Sequence, residues 1–221
     1  MEICNLTSKD VWDYENGFYW FSDTSRLKKA VAHYEIYRKI LSLPGDIAEF
    51  GVFKAASLIR FATYRDMLEN SSGRQIIGFD AFGKFPRAQN QTHTDDAFIK
   101  HFESSAGDGL VMEDVQLLMQ HKGFDNVKLI HGDVTDTLHK YLAANSEKRF
   151  ALVHLDMDVY APTIATLEAV WERIVPGGLV VIDDYNAVAG ATEAVDEFVN
   201  SRDIMLEKNP FYAVPSYFIK R

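Results

Sequence analysis

Cysteine is almost missing from this chain. The single residue, Cys4, excludes an internal disulfide and fits a reducing compartment. No apolar run is long enough to span a bilayer. Met1 to Asp10 lacks both the basic and the apolar region of a signal peptide. Cations are outnumbered, with 23 Lys and Arg against 32 Asp and Glu, for a formal net charge of −9. That balance argues against nucleic acid, whose binding needs clustered Lys and Arg, and against an anionic membrane surface. The 7 histidines show neither an HxxxH pair nor zinc-type spacing with cysteine. The GxSxG elbow of hydrolases is absent, as are the GxGxxG fingerprint, internal repeats and low-complexity linkers. A soluble, cytoplasmic, single-domain protein is expected, and 47% hydrophobic residues supply its core.

What is present is an alternation of short apolar runs with helical patterns. Ser25 to Leu43 carries apolar residues at helical spacing and ends at Pro44-Gly45. Strands are expected at Ile47–Gly51, Arg74–Asp80, Val127–Ile130, Ala151–Leu155, Leu179–Ile182 and Ala213–Ile219. Helices are expected at Ala56–Glu69, Asp95–Glu103, Glu113–His121, Val134–Ala144, Pro162–Ile174 and Thr192–Val199, with Pro176-Gly177-Gly178 as a turn. The pattern predicts an α/β fold: a mostly parallel sheet, helices on both faces, right-handed crossovers. The closing strand is expected at the sheet edge, antiparallel, with Pro215 at its start or on a free edge. The aromatic stretch Trp12, Tyr14, Phe18, Tyr19, Trp20, Phe21 is expected mostly in the core, with a cover over substrate or a contact with another chain as the alternative.

Ligands of open α/β sheets bind at the carboxyl ends of the strands. Two apolar runs end there in paired carboxylates: His154-Leu155-Asp156-Met157-Asp158 and Val181-Ile182-Asp183-Asp184. Four such acids repel unless a cation joins them, and an all-oxygen set suits a hard ion such as Mg²⁺. In an extended strand Asp156 and Asp158 share a side. Glu49-Phe50-Gly51-Val52, with Ser57 opening the next helix, forms a glycine turn where a ligand can approach the backbone. Asp80 closes the next strand, where a carboxylate can hold ribose hydroxyls, although its spacing from Gly51 exceeds the roughly 20 residues of dinucleotide sites. Asp133 can meet an adenine amino group, cap a helix, or do both. His154 reads as a hydrogen-bonded core residue.

Several of these segments together resemble the macrocin O-methyltransferase (TylF-type) family. They are Ile47–Val52, Asp80 with Ala81-Phe82-Gly83-Lys84-Phe85-Pro86, His154–Thr163, Pro176-Gly177-Gly178, Asp183-Asp184-Tyr185 and Gly190-Ala191. The resemblance implies a Rossmann-like class I methyltransferase with a seven-stranded sheet, using S-adenosylmethionine and Mg²⁺ to methylate a sugar hydroxyl of a small-molecule or glycan acceptor. Residues 1–43 would form a helical lid or interface, outside the cofactor site, and 44–221 the cofactor-binding core. Glu49, Gly51, Val52, Ser57, Asp80, Asp133 and Asp156 would contact the cofactor, Asp156, Asp183 and Asp184 the metal, and Asp158 would be the general base. A homo-oligomer, a dimer or larger, is also expected. The alternatives are a nucleotide-cofactor oxidoreductase and a non-catalytic methyltransferase-like binding protein.

Overall fold

The computed structural model describes residues 1–86 and 93–221. A small hairpin, β1 (Glu2–Ile3) and β2 (Leu6–Thr7), precedes helices α1 (Val11–Phe21) and α2 (Thr24–Lys39). Next come β3 (Asp46–Phe50), α3 (Ala56–Leu68), β4 (Ile76–Asp80), α4 (His93–Ala106), α5 (Met112–Lys122) and β5 (Val127–His131). The chain continues through α6 (Val134–Ala144), β6 (Phe150–Leu155), α7 (Tyr160–Val170), β7 (Ile174–Ile182), α8 (Ala189–Asn200), β8 (Glu207–Asn209) and β9 (Tyr212–Ile219). Part of the segment between Phe82 and Gly109, residues 87–92, lies outside the described residues.

The main sheet has 7 strands in the order β5-β4-β3-β6-β7-β9-β8. The first five are parallel and β9 is antiparallel to both neighbours. The chain moves outward from β3 to β4 and β5, then returns to place β6 on the other side of β3. That reversal opens a crevice above the carboxyl ends of β3 and β6, where open α/β sheets bind ligands. Side chains alternate across the sheet. Ile47, Ile76, Leu152 and Val181 face α2, α3 and α5, whereas Ala48, Phe50, Ile77, Val153 and Ile182 face α6, α7 and α8.

Several sequence expectations need correction. β9 is not the edge strand, because the short β8 pairs outside it. Pro215 lies inside β9, at a register shift between Asn209↔Tyr212 and Lys208↔Ser216 where β8 asks for no ladder donor. Pro176-Gly177-Gly178 is an irregular stretch within β7 rather than a turn before it. α7 ends at Val170, and Trp171–Arg173 form a 3-10 turn. The core expectation for the aromatic stretch fails: α1 buries no residue, and Trp12 and Phe21 remain 73% and 83% exposed. No helix among the described residues is long and apolar enough to cross a membrane.

Two buried arginines tie the amino-terminal ends of the strands. Arg74 meets Glu69 and the carbonyls of Ile40, Leu43 and Gly45. Arg65, fully buried, donates to the carbonyls of Arg74 and Asn126, each at 3.1 Å, and to that of Asp125. A buried acceptor stripped of its donor costs about 1–3 kcal/mol. Arg65→Met keeps most of the side-chain volume and strips three carbonyls together. Its urea midpoint should correspond to a loss of at least about 3 kcal/mol, and a loss below about 1 kcal/mol would show that water replaces the guanidinium.

Candidate active site

A cleft of about 550 Å³ opens at the carboxyl edge of the sheet. Its floor is the glycine turn after β3. Gly51 has φ +90°, and any Cβ there would overlap the Asp156 carbonyl, so the two strand ends touch through backbone alone. The turn is fastened to β4 by Asp80, which accepts from Val52 N–H (2.6 Å), Phe53 N–H (3.0 Å) and Phe82 N–H (2.6 Å). A carboxylate offers about four lone-pair sites, so Asp80 shapes the turn and retains capacity for a ribose hydroxyl. Asp133 caps α6, accepting from Thr135 N–H at 2.9 Å, while still lining the cleft. Gly51, Val52 and Ser57 also line it. Glu49 stands behind Ser57, fully buried, and accepts the Ser57 hydroxyl at 2.6 Å.

The four aspartates do converge, but not by the pleat. β6 stops at Leu155, and Asp158 takes φ +67° in the turn before α7. The expectation that Asp156 and Asp158 share a strand face is therefore wrong; a left-handed residue brings them together. Such strain persists only when its surroundings hold it. Here Asp158 N–H donates to Asp184 Oδ2 at 3.2 Å, and Ala191 N–H donates to the Asp158 carbonyl at 3.1 Å. Carboxylate oxygens of Asp156, Asp158 and Asp184 lie within 4.8 Å of one another. Burial, followed by the neighbouring acids, holds the Asp156 and Asp184 carboxyls well above the usual carboxylate range and pushes Asp158 up to about 7. An all-carboxylate, under-neutralised set of this kind fits a hard divalent cation.

Asp183 turns the other way. Positions 49, 154 and 183 all face α2 and α3 by the period of two. Lys29 of α2 pairs with Asp183 Oδ2, while His33 and His154 place Nε2 at 3.6 and 3.7 Å from Oδ1. Burial pushes His33 down to about 4. The same histidines and Lys29 hold Asp183 well below the ordinary range despite its burial. His154 is buried as the sequence reading expects, but neither ring nitrogen makes a hydrogen bond among the described residues. Lys29 and His33 were not anticipated as site residues, nor was Asp95 of α4. Asp95 is buried, lines the cleft, and packs its Oδ1 where Gly190 of α8 would carry a Cβ. Phe102 of α4 packs at a tilt against Phe53, with centroids 5.1 Å apart, and lines the cleft.

Residues 24–218 match the profile of the macrocin-O-methyltransferase (TylF) family. The chain belongs to that family. Among curated TylF-type relatives, the tetracenomycin 4'-O-methyltransferase of Streptomyces olivaceus, which acts on a dimethoxy-rhamnosyl compound by its name, is 29% identical over 71% of this chain and 58% of its own length. The mycinamicin III 3''-O-methyltransferase of Micromonospora griseorubida is 29% identical over 71% of this chain and 61% of its own length. The chain thus spans about three-fifths of the curated relatives it matches. The calicheamicin methyltransferase CalS11 superimposes with a TM-score of 0.72 at 26% identity, covering 96% of this chain and 86% of its own. The O-methyltransferase NovP, at 21% identity and a TM-score of 0.73, shares the fold over 87% of this chain and 79% of its own.

The geometry makes one pH test available. Burial lifts the Glu49 carboxyl from its ordinary value of 4.5 to about 7. The folded state therefore keeps a proton that the unfolded chain releases first. This contribution to stability is complete below pH 4.5 and is lost as pH rises through 7, at up to about 1.4 kcal/mol per pH unit. Glu49→Gln cannot lose a proton. Its stability relative to the native chain should improve by a few kcal/mol at most between acidic and mildly alkaline urea titrations, and a constant difference would refute the buried acid.

Proposed function

We propose that this chain is an S-adenosylmethionine- and Mg²⁺-dependent O-methyltransferase for a hydroxyl of a sugar, glycan or glycosylated natural product. The convergence of Asp156, Asp158 and Asp184 beside a cleft floored by the glycine turn carries this reading. The family and the rhamnosyl acceptor named for one relative support it.

Gly51, Val52 and Ser57 would receive the methionine part of the cofactor, and Asp80 and Asp133 its nucleoside. Asp156 and Asp184, with a third carboxylate, would hold Mg²⁺, which when bound stabilises an alkoxide and orients a diol. Asp158 then serves as base, because a hydroxyl is a poor nucleophile until a carboxylate within reach takes its proton. Its turn, pinned by Asp184 and Ala191, aims that carboxylate at the acid cluster. Positioning in the cleft supplies much of the remaining acceleration.

A second reading concerns only the third ligand. The family resemblance implies Asp183, yet Lys29 and two histidines already surround Asp183, and the cluster as it stands contains Asp158. The exposed aromatic surface of α1 supports a homo-oligomer, since surface of that kind commonly marks an interface. The cysteine content supports a cytoplasmic setting.

Labelled methyl transfer to a panel of deoxysugar glycosides and nucleotide-linked sugars tests the proposal. EDTA should abolish transfer and Mg²⁺ restore it. Asp158→Asn should lower kcat by about 10²–10⁴-fold with Mg²⁺ affinity nearly unchanged. Asp156→Asn should weaken Mg²⁺ and recover partly in excess metal. If excess Mg²⁺ rescues Asp158→Asn instead, Asp158 is the third ligand. Full activity after exhaustive chelation would remove the metal.

A further inference from the structure

Most arginine side chains among the described residues are occupied. Arg38 approaches Glu35, Arg65 and Arg74 bind buried carbonyls, Arg149 and Arg173 bind loop carbonyls, and Arg202 binds Glu168. Apart from the terminal Arg221, two described arginines have no hydrogen-bond or ion-pair partner for the guanidinium among the described residues: Arg26 and Arg60. Both line the cleft. In a chain of formal net charge −9, the two internal arginines left without a partner thus both stand at the ligand cavity.

Their placement is specific. Arg26 and Lys29 are three residues apart on α2, and Ser57 and Arg60 are three apart on α3, so each pair shares a helix face. The two helices pack together, with His33 stacked on Phe61 at 5.2 Å and Tyr64 O–H donating to the Ala30 carbonyl at 2.7 Å. Lys29 is spent on Asp183 and Ser57 on Glu49. The unspent donors at this end are two guanidinium forks, the group best matched to a planar oxyanion. The nucleoside acids Asp80 and Asp133 stand at the ends of β4 and β5, on the other side of the glycine turn.

We propose that Arg26 and Arg60 form an oxyanion seat at the α2–α3 end of the cleft, taking the carboxylate at the amino-acid end of the cofactor. The inference rests on the S-adenosylmethionine reading above. It also departs from the sequence expectation that residues ahead of Pro44 stay outside the cofactor site.

The test compares two ligands in calorimetry. S-adenosylhomocysteine carries the carboxylate; 5'-methylthioadenosine has the same nucleoside and thioether without the amino acid. Arg60→Met should weaken S-adenosylhomocysteine roughly tenfold or more, and Arg26→Met, nearer the rim, severalfold. Both should bind methylthioadenosine as the native chain does, which also shows that they are folded. Arg60→Lys should recover part of the loss. Native affinity for S-adenosylhomocysteine in both Met variants overturns the proposal. If those variants lose instead the binding of inorganic pyrophosphate to the S-adenosylhomocysteine-loaded protein, the seat serves an anionic acceptor and the cofactor assignment falls. A native chain that binds neither adenosine ligand overturns the cofactor reading itself, and the seat with it.

Discussion

The rest of this structure is organised around negative charge held out of water. Four aspartates end β6 and β7, and none is more than partly exposed. Placing ionised carboxylates side by side in a low dielectric is costly unless positive charge or donors meet them. The fold solves half of this problem itself. Lys29, His33 and His154 surround Asp183, and the strand alternation that sends Asp183 toward α2 makes this possible. The other half is left open: Asp156, Asp158 and Asp184 face one another with carboxyl groups forced upward. Both halves line the cleft, and only the trio meets it without a cation of the chain's own.

The α2–α3 wall shows the same economy with the sign reversed. Arg26 and Arg60 stand without anions in an acidic chain. Acids uncompensated on one side and cations on the other describe a cleft shaped for a ligand with separated charges. The glycine turn is held in place, because Asp80 accepts from its Val52 and Phe53 amides and from the Phe82 amide of the loop after β4. Little rearrangement is needed for binding, which keeps the entropic cost of association low.

The sheet was largely legible in the sequence because buried parallel strands read as uninterrupted apolar runs. Every expected strand exists within a few residues. What the pattern could not supply was tertiary adjacency. β8 is short and polar, so nothing in Glu207–Asn209 announces an edge strand, and β9 was therefore misplaced. The left-handed turn at Asp158 was invisible because non-glycine residues rarely adopt it. The four acids were visible as a group, but their division into a paired Asp183 and an open trio depends on the register of α2 against the sheet. His33 and Lys29 looked like ordinary members of an amphipathic helix. The aromatic density before Ser22 was plain, yet aromatic content does not reveal whether a chain covers its own core or presents that surface outward.

Gly190 is the vertex where three parts of the molecule meet. The carboxylate of Asp95 fills the space its side chain would take, and the Tyr160 amide lies 2.8 Å from the same point. One residue later, Ala191 holds the Asp158 turn. The wall built by α4 and the Asp158 turn are thus joined through a single side-chain vacancy. Any lineage that remodels α4 to admit a different molecule inherits this joint. A larger residue at position 190 thus needs a smaller one at 95, which makes the α4 wall a transplantable module only when its packing partner in α8 travels with it.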